Sequence, residues 1–88
     1  MQFEWDTKKA EQNYIKHGVD FVLGARILLD PAKVTLPTQP GNDPERWLAL
    51  GEYDGRVYVV VYTARGEKYR IISVRVAHHD EARNYRNL

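Results

Sequence analysis

The chain contains no cysteine, so it can form no disulfide, thiolate nucleophile or Cys-ligated zinc site, and its stability must come from packing or from a partner. No apolar run approaches the roughly 20 residues needed to span a bilayer. The start, Met1-Gln2-Phe3-Glu4-Trp5-Asp6, is acidic where a secretory signal would be basic. These absences lead to the expectation of a cytoplasmic protein without a membrane partner. Also missing are a Gly-rich phosphate loop of Walker or Rossmann type, a paired-cysteine motif, and a Ser-His-Asp order with an elbow signature. His78 and His79 stand beside Asp80, but adjacent residues point different ways on a strand or helix, so neither a metal nor any other cofactor is expected.

What is present amounts to one domain over residues 1–88, close to the size at which burial only narrowly exceeds the entropy of ordering the chain. The net charge of +1 hides an asymmetry. Residues 1–45 hold five Lys/Arg against seven Asp/Glu, whereas residues 46–88 hold eight against five, and seven of those eight are arginine. Arginine suits planar, bidentate phosphate contact, which favours a polyanionic partner. For any single arginine, plain surface solvation is the alternative reading.

Phe3-Glu4-Trp5 reads as a short edge strand, and Asp6 as the N-cap of a helix from Thr7 to His17 that Gly18 ends. Ala10, Tyr14 and His17 share one face of it at i, i+4, i+7, with Asn13 beside them. His17 reads either as a helix-dipole or packing histidine, or as a phosphate contact or acid/base group. Asp20 caps a second helix, Phe21 to Leu29, with Phe21, Ala25 and Leu28 on one face and Val22 and Leu29 flanking it, and Asp30-Pro31 stops it. Both helices are expected on one face of a sheet. Lys33 to Leu36 is a candidate strand, and Pro37 to Pro44 a loop of turn formers. Arg46 to Val76 reads as a three-stranded antiparallel meander, turning at Asp54-Gly55 and Arg65-Gly66. Asp80 is the expected cap of a short helix, Glu81 to Asn87.

Strict alternation sorts the meander into an aliphatic face of Leu48, Leu50, Val57, Val59, Val61, Ile72, Val74 and Val76, and a second face with Trp47, Tyr58, Tyr62, Ser73 and Arg75. The second set offers aromatic platforms, a hydroxyl and a guanidinium that could hold stacked bases and a phosphate. Equally, its aromatics could simply pack beneath the C-terminal segment. Arg56 and Arg70 are expected to be solvated or salt-bridged. An inventory of Arg, Tyr, His, Lys and Glu without metal ligands suits RNA cleavage by the ribose 2′-oxygen, since the substrate supplies the nucleophile.

The chain resembles the BrnT family of bacterial type II toxins along nearly its whole length. The stations are Phe3-Glu4-Trp5-Asp6, Lys9, Asn13, Lys16-His17-Gly18-Val19, Phe21, Asp30-Pro31, Glu45-Arg46-Trp47, Gly51, Gly55-Arg56, Val60-Val61-Tyr62-Thr63, Arg65-Gly66, Arg70-Ile71-Ile72-Ser73, Arg75, Ala77, Glu81 and Tyr85. The resemblance implies a RelE-like α+β fold, with two N-terminal helices on an antiparallel sheet and a short C-terminal helix. It also implies a ribonuclease that arrests translation, neutralised by a DNA-binding antitoxin of the BrnA type, with DNA contacted only through that partner. Arg65 and Arg75 are then the expected phosphate and transition-state contacts, and Tyr85 a proton-transfer or stacking group. Lys9, Lys16 and His17 follow as second choices, and Trp47, Tyr62 and Ser73 complete the expected RNA contacts. Where the family often has Ala-Arg-Arg-Ala after Ile-Ile-Ser, this chain has Val74-Arg75-Val76-Ala77 and one basic residue fewer. The rival expectation is a noncatalytic RNA-binding or protein-docking module using the same sheet.

Overall fold

Asp6 and Asp20 start two helices by accepting otherwise unpaired backbone N–H groups, those of Lys8 and Lys9 at 2.8 and 3.2 Å and that of Val22 at 2.9 Å. In the computed structural model, which describes residues 2–38 and 45–88, these are α1 (Thr7–His17) and α2 (Phe21–Leu29). Gly18 ends α1 at φ 69°, a left-handed position that costs a glycine little. The strands are β1 (Gln2–Glu4), β2 (Val34–Pro37), β3 (Trp47–Tyr53), β4 (Arg56–Arg65) and β5 (Lys68–Val76), followed by α3 (His79–Arg86). Residues 39–44 of the expected loop lie outside the described residues.

The expected meander forms the centre of a five-stranded sheet of order β1-β5-β4-β3-β2. Three of its four pairings are antiparallel, and β1 adds in parallel beside β5. Asp54 and Gly55, at φ 52° and 80°, form the tight turn between β3 and β4. The fold is therefore α+β, with α1 and α2 on one face of the sheet.

Under those helices lies the core of Val19, Phe21, Ile27, Leu28, Ala49, Val60, Tyr62, Ile71 and Val74. The inward face of α2 includes Gly24 and Ile27 beside Phe21 and Leu28. A Cβ on Gly24 would meet Val74 Cγ2 at 2.7 Å, and one on Gly51 would meet Ile27 Cγ2 at the same distance. Helix and sheet approach closely because both positions lack side chains. In α1 the buried residue is Asn13, while Tyr14, on the neighbouring face with Ala10 and His17, is 59 % exposed. Asn13 Nδ2 donates to the carbonyls of Val74 and Val19 at 2.8 and 3.0 Å, and its Oδ1 accepts the Val74 N–H at 3.2 Å. One amide thus satisfies the backbone of β5 where β1 no longer pairs with it.

The registers correct the expected division of faces. Trp47 pairs with Tyr62, Ala49 with Val60, Tyr58 with Val76 and Val60 with Val74, so the aromatics share the helix-covered face with Val74 and Val76. Arg75 pairs instead with Val59, and Ser73 with Val61. Between Val61 and Tyr62 the register shifts by one, leaving Ile72 as the extra residue of a β-bulge. Ser73 and Arg75 therefore lie on the Leu48-Leu50-Val59-Val61 side. Tyr62, expected as a stacking platform, is 5 % exposed, and burial raises its phenol pKa. Trp47 likewise packs against the core. At the C-terminus the cap is His78 rather than Asp80, which sits inside the first turn of α3.

Candidate nucleic-acid interface

The second face of the sheet is divided. On the β2–β3 side, α3 lies across it, and the groove between them has a volume of about 250 Å³ with Val34, Leu36, Leu48, Leu50, Tyr85 and Leu88 among its walls. On the β4–β5 side the register brings Arg65 opposite Lys68, Thr63 opposite Arg70, and Val59 opposite Arg75. Cross-strand partners point to the same side. One half-face therefore gathers Arg65, Lys68, Arg70 and Arg75 with the hydroxyl-bearing Ser73, and Arg46 lies exposed just before β3.

These cations differ in how they are held. Arg70 meets Glu4 at 3.5 Å. Arg75 is gripped by Glu81 in a two-point contact, Nη1 to Oε1 at 2.8 Å and Nη2 to Oε2 at 2.9 Å. Glu81 Oε1 also accepts the His78 N–H at 2.7 Å, joining β5 to the start of α3. The Arg75 hydrogen bonds, chiefly, hold the Glu81 carboxyl down to about 2, and the same contact raises the Arg75 pKa. Arg65 and Lys68 are exposed and make no ion pair among the described residues. Two fixed and two free cations on an open half-face can bind successive phosphates of a strand while the fixed pair sets its position.

The remaining expected residues divide by location. Lys9, Lys16 and His17 of α1 line a hollow of about 260 Å³ with Ile72 and Ser73, at the edge of β5 beside the bulge. Ser73 Oγ donates to Asn13 Oδ1 at 3.3 Å, so its hydroxyl also braces α1. Lys9 and Lys16 of α1 thus share one hollow with Ser73 of the basic half-face. Tyr85 lines the α3 groove and donates to the Ala32 carbonyl at 3.4 Å. Trp47 and Tyr62 are on the opposite, covered face.

Sequence reasoning passed over Lys68 and Glu81. Lys68 could have been found by counting back from the Gly66 turn, which places it opposite Arg65. Glu81 carries a signal of its own, a glutamate three residues after the helix cap.

A family model described as the ribonuclease toxin, BrnT, of type II toxin-antitoxin systems matches residues 5–81. The match takes in Arg65, Lys68, Arg70, Arg75 and Glu81, and stops before Tyr85. No curated protein matches the chain.

Proposed function

We propose, on the premise that the chain belongs to the BrnT family of ribonuclease toxins, that it cleaves RNA on the basic half-face without a metal ion, arrests translation in the cytoplasm, and is neutralised by a DNA-binding antitoxin of the BrnA kind. The observation that carries this reading is the cross-strand alignment of Arg65, Lys68, Arg70 and Arg75 on one uncovered half of the sheet. In the reaction the 2′-hydroxyl loses its proton, its oxygen bonds to the adjacent phosphorus, the bond from phosphorus to the 5′-oxygen breaks, and that oxygen takes up a proton. Arg65 and Arg75 stabilise the charge that builds on the phosphorane oxygens. Lys68, Lys9, Lys16 and Ser73 position the strand. Tyr85 and His17 are the proton-transfer candidates; His17 shares the α1 hollow with Ser73 of the half-face, whereas Tyr85 lies in the α3 groove on the other half of that face.

The test incubates the purified protein with RNA in excess EDTA. Cleavage leaving 2′,3′-cyclic phosphate ends is expected. RNA that shifts in a gel but stays intact, with the fold verified, would sink the catalytic reading in favour of a noncatalytic RNA-binding module.

A further inference from the structure

The exposed large apolar side chains among the described residues gather at two places. Leu36 and Leu88 flank the α3 groove, and the rest stand on the helix side of the molecule. Tyr14, Val22, Tyr53 and Val76, at 59, 55, 42 and 36 % exposure, line a hollow of about 530 Å³ where α1 turns into α2. Ile15, 84 % exposed, adjoins Tyr14, and Leu29 continues the outer face of α2 at i+7 from Val22. Exposed apolar side chains gathered on one side of so small a chain mark a place where another protein packs.

The same hollow carries positive charge from Arg26 and Arg56, which line it. Arg26 Cζ lies 5.2 Å from the centre of the Tyr53 ring, and its Nη1 donates to the Tyr53 hydroxyl at 3.2 Å, which holds the guanidinium against an aromatic wall. Arg56 is exposed and has no ion pair among the described residues. The one carboxylate in the lining, Asp20, already accepts the Val22 N–H as the cap of α2. Tyrosine and arginine anchors around an apolar floor are the composition of protein hot spots. A polyanion would make no use of Val22, Ile15 and Leu29, and a symmetric contact between two copies would set the same arginines against each other.

We propose that this corner docks the antitoxin, through a segment that seats an apolar side chain between Tyr14 and Val22 and sets a carboxylate against Arg56 and Arg26. The proposal rests on the toxin-antitoxin reading above. It places an antitoxin anchor on the opposite side of the sheet from the basic half-face, with His17 bordering both, so variants at Val22 and Arg56 separate antitoxin binding from RNA cleavage.

The test measures the affinity of the purified chain for its cognate antitoxin by calorimetry. The double variant Val22→Asp/Arg56→Glu is expected to weaken binding by about 30-fold or more, with RNA cleavage unchanged. Arg65→Ala, on the other face, is expected to leave antitoxin affinity within about threefold. If the double variant fails to fold, Val22→Ala and Arg56→Ala singly serve, each expected to weaken binding about fivefold. Wild-type affinity in the variants overturns the proposal. So does loss of RNA binding with antitoxin affinity kept, which makes the corner a nucleic-acid site, or loss of a dimer with antitoxin affinity kept, which makes it a self-association surface. The affinity is read without any cleavage assay, so absence of ribonuclease activity in the wild type would count against the functional reading alone.

Discussion

The two faces of the sheet are built from the same three central strands and have opposite characters. The face beneath α1 and α2 holds Tyr62, Val60, Val74 and Ile71 almost wholly buried. The other is apolar only where α3 covers it, and beyond that cover it carries Arg65, Lys68, Arg70 and Arg75. The covered face holds the fold together and keeps the strands in register. The open half-face presents Arg65 and Lys68 to solvent and holds Arg70 and Arg75 against carboxylates, the arrangement on which the proposed RNA cleavage rests.

Mutation should break this contrast in a set order. The largest effect is expected from Arg65→Ala on the open side, a loss of about 10² to 10³ in the RNA cleavage rate with the urea midpoint unchanged. A stability loss without a rate loss would reverse the roles of the faces. Tyr62→Ala should do the opposite, lowering stability by about 3 to 4 kcal/mol in urea denaturation. Asn13→Ala leaves the Val74 N–H and carbonyl without their partner and should cost about 2 to 3 kcal/mol, with hydrogen exchange at Val74 accelerated most.

Smaller effects sharpen the comparison. Lys68→Ala should weaken RNA binding evenly across sequences and lower the slope of log affinity against log salt by about 0.7. The smallest effect concerns the Arg75–Glu81 contact. The Glu81 carboxyl falls from its ordinary 4.5 to about 2, so the stabilisation is fully present above 4.5 and is lost as pH falls toward 2. The pair is partly exposed, so screening limits it to about 1 kcal/mol. Glu81→Gln should accelerate hydrogen exchange in α3 at neutral pH, and the difference from wild type should vanish near pH 2.

Much of this architecture is legible in the sequence, because its signals are local. Asp6, Gly18 and Asp20 mark the helices within a residue, and Asp54-Gly55 marks the turn, each through chemistry confined to a few neighbouring positions. Arg65, Ser73 and Arg75 were candidates from resemblance or alternation, and they share the open half-face. Trp47 and Tyr62 were misplaced because alternation within a strand says nothing about how that strand aligns with the next. The bulge at Ile72 is invisible to it for the same reason. Periodicity in α1 groups Ala10, Tyr14 and His17 without saying which face turns inward, and the buried place is that of Asn13, whose amide satisfies a strand edge that local sequence does not reveal.

That bulge can also be understood as a counting device. Arg70 and Arg75 are five residues apart, an odd number, and a regular strand would put one on each side of the sheet. Ile72 is the uncounted residue that restores their parity, so the basic half-face depends on one position at which the chain skips a beat. Deleting Ile72 removes the bulge but keeps Arg70 and Arg75 together. Inserting a residue anywhere between Ser73 and Arg75 sends Arg75 toward the helices and turns the site inside out.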